Sequence, residues 1–364
     1  MFVESVSFEN YRNLKNAEFF PSKGINVIYG DNAQGKTNII ECMWLFTGGR
    51  SFRGAKDREL IAFDQKYSKV NAAFFSTNRQ QNVEILIQNN KRKAVLNNVQ
   101  KDYMSQIIGN FCAVIFSPQH LDLIKNGPEE RRNFIDSALC QIKPQYASVL
   151  SRYKKILIQR NALLKSIQKN SELSDTLDIW NEKLAEAGSH IAVYRHAYIS
   201  NIRPLCESFY EGISQHRECL NIAYKSSYAS QDTILRDDIK NSLLTALQIK
   251  QNDDIDLGYT TRGVHRDDIS VTINGKDAKS FGSQGQQRSA VLALKLAEAS
   301  LLGRSKGESP VILLDDVMSE LDPARQRYLL DKLQGMQVFI TCCDPNITAQ
   351  NKFLVKNGEI FPTG

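Results

Sequence analysis

The stretch "INVIYGDNAQGKTNIIECMW" contains Gly30-x-x-x-x-Gly35-Lys36-Thr37, a phosphate-loop pattern complete at every fixed position. It lies where the chemistry needs it, between an apolar strand and a helix. Gly30 and Gly35 let the backbone curl. The N–H groups of Asp31, Asn32, Ala33, Gln34, Gly35, Lys36 and Thr37 can then face phosphate oxygens. Lys36 supplies a point charge for the β- and γ-phosphates, and Thr37 a hydroxyl for Mg²⁺. The following helix adds the positive end of its dipole. Nucleotide binding is the expectation.

Magnesium needs a second anchor, an Asp at the end of an apolar strand. "PVILLDDVMSELD" offers Asp315 and Asp316. Asp315 would end a buried strand and hold Mg²⁺, and Asp316 would polarise an attacking water. The bland alternative is a pair of acids that solubilise a strand end. Asp322, before Pro323, reads as a helix cap. Asp315 stands 278 residues beyond Thr37. Small GTPases keep these elements close, and "NGKD" at Asn274–Asp277 has the wrong letter order for guanine recognition. A split nucleotide-binding head with a large insertion is expected.

"FGSQGQQRSAVLALKLAEASLL" opens a second helix with an anion-ready start. Ser283-x-x-Gln286 is a capping box, Gly285 permits close approach to backbone, and Gly303 reads as the terminating glycine. The plain alternative is a well-capped helix and nothing more.

Taken in order, Gly30–Thr37, Ser283-Gln284-Gly285-Gln286-Gln287, Val311–Asp316 and Ser319-Glu320-Leu321-Asp322 resemble the Walker A, signature, Walker B and D-loop series of SMC-class ABC-type ATPases. "FENYRNL", "FSPQHLDLIKNGPEERRNFID", "QRNALLK" and "TTRGVHRDDI" are similar to stretches of the RecF family of bacterial recombination mediators. The likeness runs from residue 3 to about residue 344. It implies that Ser283, Gly285 and Gln286 act in trans on the γ-phosphate bound by a second copy. It also puts Gln119 at the Q-loop position, beside Thr37 and Asp315 at the metal. Lys36, Asp316 and Gln119 would form the catalytic set. ATP and Mg²⁺ would join two heads on double-stranded DNA, and a weak, slow ATPase would release them. RecR and RecO would be the partners, in recombinational repair, fork maintenance and the DNA-damage (SOS) response. Three residues depart from the wider pattern. Asp316 replaces the usual Glu, Gln284 and Gln286 replace Leu and Gly, and Cys342-Cys343 stands where a switch His is usual.

The elements that must position these groups follow from periodicity. Residues before 121 read as strands around one early helix, with an Asn89-Asn90 hairpin turn. From 128 to 216 the apolar spacing turns helical, and a strand pair with an Asn274-Gly275 turn follows. The expected architecture is α/β: an ABC-type, SMC-like P-loop ATPase head with an inserted, mainly helical second domain. Domain I would comprise 1–121 and 305–364, and domain II 122–304.

Charge supplies a candidate DNA surface. Lys125 to Lys169 holds ten basic residues against three acidic, a local excess of seven where the whole chain has +6. Arg152, Lys155 and Arg160 read as lying near one helical face able to follow a phosphate strand, with Arg53 as a further contact. A solvated helix exterior is the alternative. Aromatic–basic interleaving is missing, which favours sequence-independent duplex binding over single-strand stacking. Seven cysteines without a CxxC pair argue against a disulfide framework or zinc site. No signal peptide or membrane span is visible, so a cytoplasmic protein is expected. The competing functions are an ABC-transporter ATPase subunit and a catalytically dead structural head.

Overall fold

In the computed structural model, the described residues are 1–121, 123–228, 235–343, 347 and 349–363. They form two compact units. The first comprises residues 1–122, 212–216 and 288–364, and the second 123–211 and 217–287.

The first unit holds two six-stranded sheets. One has the order Glu359–Pro362, Asn351–Lys356, Ile25–Tyr29, Val338–Cys342, Val311–Asp315 and Ala113–Phe116. It is parallel except for the antiparallel terminal hairpin. Val311–Asp315 is buried at every position and flanked by parallel strands on both sides. That is why "VILLD" reads as a continuous apolar run. The other sheet is an antiparallel meander built around Phe2–Glu9, Tyr67–Ser76 and Arg79–Gln88. Its strand Tyr67–Ser76 alternates buried and half-buried residues, as one covered face requires. The helix Lys36–Leu45 shares a single core with both sheets, through Ile39, Ile40 and Met43 together with Val6, Phe74, Ile85, Leu313 and Phe339. Truncating a fully buried member such as Leu313 to Ala would cost about 2–5 kcal/mol.

The second unit is mainly helical. Its long helices are Pro128–Ile142, Pro144–Ile167 and Leu177–Ser214, the last crossing the division. Pro128 and Pro144 stand at first-turn positions, where a missing N–H costs nothing. Two more helices, Arg236–Ile249 and Gln251–Leu257, were not assigned from the sequence. A three-stranded antiparallel sheet pairs Asp268–Ile273 with Leu220–Lys225 and with Lys276–Asp277. Its hairpin turns at Asn274 (φ 49°) and Gly275 (φ 77°), the two positive angles a two-residue turn demands.

The helix Gln284–Lys306 also crosses the division, at Gln287/Arg288, whereas the expected boundary lay at 304/305. Its body is apolar on most sides, with Val291, Leu292, Leu294 and Leu296 all buried, and from residue 288 on it belongs to the first unit. Gly303 lies inside this helix rather than after it. Gly307, at φ 72°, is the terminating glycine.

Candidate nucleotide-binding site

The phosphate loop leaves the carboxyl end of Ile25–Tyr29, the edge where open α/β sheets bind ligands. Gly30 (φ 145°) and Gly35 (φ 116°) take backbone angles closed to other residues. Space excludes a side chain as well. A Cβ on Gly30 would stand 2.4 Å from the Val355 carbonyl oxygen, and one on Gly35 2.7 Å from Leu14 Cδ2. Outside struts fix the curl: Asn13 Nδ2 donates to the Ala33 carbonyl (3.1 Å), and the Asn357 N–H donates to Gln34 Oε1 (2.6 Å). The helix Lys36–Leu45 has Gly35 as its N-cap and no side-chain cap. Its first N–H groups therefore stay available to an anion. Lys36 is buried, and its ammonium donates to the carbonyls of Gly30 (2.6 Å) and Asp31 (2.8 Å).

Sheet register brings the second anchor in. Asp315 pairs with Thr341 on the adjacent parallel strand. Thr37 Oγ1 and Thr341 Oγ1 both donate to Asp315 Oδ1, each at 2.9 Å. Burial pushes the Asp315 carboxyl up, the two hydroxyls pull it back, Asp316 pushes it further up and Arg53 lowers it. Asp316 is exposed and adopts φ 52°, which Asp tolerates better than most residues. Its N–H donates to Thr341 Oγ1 at 2.9 Å. Thr341 was not singled out from the sequence.

Arg53 reaches this site through a buried acid. Glu41, fully buried on the phosphate-loop helix, takes two 2.8 Å hydrogen bonds from Arg12 and one from the Ser51 hydroxyl. Ser51 Oγ accepts the Arg53 N–H (3.1 Å), and Arg53 Nη1 donates to Asn38 Oδ1 (3.1 Å). The guanidinium thus sits beside the loop helix, close enough to act on Asp315.

Gln119 is exposed on the short helix Pro118–Leu121. Among the described residues, no hydrogen bond joins it to Thr37 or Asp315. At the switch position, the Cys343 thiol donates to Asn32 Oδ1 (3.3 Å) and lies 3.8 Å from Lys36 Nζ. Asp344, the last residue of "FITCCD", lies outside the described residues.

The second helix start has the capping box its spacing predicts. The Gln286 N–H donates to Ser283 Oγ (3.2 Å), and the Ser283 N–H to Gln286 Oε1 (2.8 Å). Gln286 Nε2 also donates to Glu218 Oε1 (2.6 Å), so this amide is already engaged. Ser283 and Gln284 are exposed, and Gly285 is half-buried. Arg288 binds the D-loop side chain of Glu320 at 2.7 Å. Asp322 caps the helix Pro323–Lys332 through the N–H groups of Ala324 and Arg325.

One DNA-contact assignment fails. Arg160 is fully buried, donating to Asp254 Oδ2 (2.8 Å), Thr260 Oγ1 (2.7 Å) and Asn181 Oδ1 (2.9 Å). It lies on the stripe of Tyr153, Ile156, Leu164 and Ile167, which faces the interior of its unit. Arg131 is likewise buried, paired with Asp268. Arg152 and Lys155, with Lys154 and Lys165, remain on the exposed face of the same helix. A polar network adjoins Arg160 through Thr260, whose carbonyl bonds His265. Arg195 pairs with Asp136, Tyr224 and Tyr228 donate to Asp267, and the Tyr153 hydroxyl and His265 Nδ1 share a hydrogen bond (2.7 Å).

The strand–loop–helix geometry, with an Asp from a far strand on the loop threonine, defines a P-loop nucleotide-binding head. The RecF/RecN/SMC N terminal domain family matches residues 2–358. An Smc head from Pyrococcus furiosus superposes with TM-score 0.56 at 14% identity, covering 100% of this chain and 96% of its own. Closer relatives are curated as "DNA replication and repair protein RecF". That of Acetivibrio thermocellus is 40% identical over 97% of this chain and 96% of its own. That of Ruminiclostridium cellulolyticum is 42% identical over 94% and 92%. The solved recombination mediator protein RecF-ATPrS in RecFOR pathway superposes with TM-score 0.95 at 36% identity, covering 100% of this chain and 98% of its own. The chain belongs to the RecF family of DNA replication and repair proteins.

Proposed function

We propose that this chain is an ATP-gated clamp on double-stranded DNA: two copies close around ATP, and slow hydrolysis lets them part. The observation that carries this reading is the 2.9 Å hydrogen bond from Thr37 to Asp315, which unites two halves of a nucleotide site 278 residues apart. The 36%-identical RecF structures with ATPrS and with ATP support ATP as the ligand.

Mg²⁺ fits the donor set. Thr37 commits its proton to Asp315, which leaves the hydroxyl oxygen's lone pairs for a cation, and Asp315 Oδ2 accepts no hydrogen bond from the described residues. One carboxylate and one hydroxyl suit an ion that keeps several waters and binds substrate phosphates. When bound, Mg²⁺ would neutralise charge developing on the phosphates. The chain's own residues do the rest. The loop N–H groups and Lys36 would hold and orient the phosphates. The exposed Asp316 carboxylate would take a proton from the attacking water. Asp is shorter than the usual Glu, so its reach is poorer and turnover slow.

Ser283, Gly285 and Gln286 would serve the γ-phosphate of a second copy. Ser283 is exposed and Gly285 and Gln286 are half-buried, and the Ser283 hydroxyl accepts from its own helix while its proton remains to donate. Arg152 and Lys155 are the proposed duplex contacts. RecR- and RecO-type mediators are the proposed partners in recombinational repair and fork maintenance. Sedimentation with ATP, ADP or no nucleotide, with and without duplex DNA, tests the reading. Dimers and DNA binding are expected with ATP alone. Equal DNA binding in all three states would overturn the gating.

A further inference from the structure

One hydroxyl ties the Asp315 carboxylate to the Asp316 backbone. Thr341 is almost fully buried at the carboxyl end of Val338–Cys342, in register with Asp315. Its Oγ1 donates to Asp315 Oδ1 (2.9 Å) and accepts the Asp316 N–H (2.9 Å). A threonine hydroxyl has one proton and two lone pairs, so both bonds are made at once. The first, together with the Thr37 hydroxyl, holds Asp315 Oδ1 and leaves Oδ2 free of hydrogen bonds from the described residues. The second fixes the peptide at which the chain turns to φ 52° and sends the Asp316 side chain out of the strand. No other side chain among the described residues hydrogen-bonds to both.

We propose that Thr341 is a positioning residue for ATP hydrolysis, setting the Asp315 carboxylate and the Asp316 turn in one geometry. The proposal rests on the ATPase reading of this site. Thr341 touches no reacting atom and acts only through the two acids. It therefore affects the step that needs both acids in place, and leaves the Gly30–Thr37 loop that grips the phosphates as it is.

The test compares Thr341→Val, which keeps the shape and removes the hydroxyl, with Thr341→Ser, which keeps the hydroxyl. Steady-state ATP hydrolysis gives kcat and KM. A fluorescent ADP analogue, titrated in full-length protein at rising Mg²⁺, gives metal-dependent affinity without turnover. For Thr341→Val, kcat should fall about tenfold or more, and the Mg²⁺ needed to half-saturate tight analogue binding should rise similarly, as for lost partners of metal ligands. Metal-free analogue affinity should stay within about twofold, and Thr341→Ser should restore both quantities. If the valine protein does not fold, Thr341→Ala carries the same comparison against serine. Unchanged kcat and Mg²⁺ dependence in the valine or alanine protein would overturn the proposal. So would a serine protein as impaired as valine, because packing rather than the hydroxyl would then matter. A wild type that hydrolyses no ATP would instead sink the ATPase reading itself.

Discussion

Lys36 and Arg160 are both buried cations, one in each unit, and their surroundings differ in kind. Lys36 meets two carbonyl oxygens and a thiol, and no carboxylate among the described residues. Arg160 is matched by the carboxylate of Asp254, with Thr260 and Asn181 taking further N–H groups. A buried charge without a counter-ion is expensive, and proteins keep one where an anion will arrive from outside. A buried charge already paired is part of the scaffold, and breaking the pair leaves its partner stranded.

Replacing each cation by an apolar chain of similar length sharpens this contrast. Arg160→Met should destabilise its unit by about 3–5 kcal/mol, because Asp254 is left uncompensated in the interior. Lys36→Met should abolish ATP binding with no comparable loss. Denaturant unfolding read beside nucleotide binding separates the two outcomes. Equal destabilisation by both variants would break the comparison.

Acidity gives a second, smaller test inside this buried polar network. Burial raises Asp267 to about 6. Burial lowers His265 to about 4. The raised carboxyl stabilises the fold below its unfolded value and loses that contribution as pH rises towards about 6. The lowered imidazole stabilises above its unfolded value and loses that contribution as pH falls towards about 4. Between these limits the two slopes oppose each other, each about 1.4 kcal/mol per pH unit. The summed contribution of this pair should therefore be nearly flat from about pH 4 to 6. Relative to wild type, His265→Gln should gain stability as pH falls across that window, and Asp267→Asn should lose it. Urea midpoints across the range measure this, and parallel slopes in both variants would refute it.

The open face of the Arg160 helix gives the smallest effect. Arg152→Ala with Lys155→Ala should leave stability unchanged and reduce the log–log salt slope of duplex binding by about 2. An unchanged slope would remove these residues from the DNA surface.

The same contrast explains what could be read in advance. Gly30–Thr37 and Asp315 were legible because their demands are local: positive φ at fixed spacing, and an apolar strand ending in acid. The Ser283–Gln286 box was legible for the same reason. Arg160 was misplaced because charge was weighed before helical phase. Its spacing from Tyr153, Ile156 and Leu164 puts it on the interior stripe, a signal present in the sequence. Its partner, Asp254, is 94 residues away and unreadable from one chain. Thr341 was missed because a threonine in an apolar strand carries no mark of the carboxylate opposite. Only strand order supplies that pairing. Arg236–Ile249 was not assigned from the sequence although Ile239, Leu243 and Leu247 stand at spacings of four on its buried side. Gly303 looked like a helix end by composition, but nothing crowds a helical backbone there, and the helix runs on to Lys306.

The central claim is that the loop at Gly30–Thr37 and the helix start at Ser283 complete one another between two copies. Mixing two defective proteins tests it most directly. Lys36→Met keeps the Ser283 start and loses the loop's charge, and Ser283→Arg keeps the loop and blocks the helix start. In sedimentation with ATP each alone should stay monomeric, while Ser283→Arg still binds ATP. An equimolar mixture should form a heterodimer, because one complete site can then assemble. A mixture that stays monomeric under conditions that dimerise wild type, or a Ser283→Arg protein that cannot bind ATP, would contradict the account.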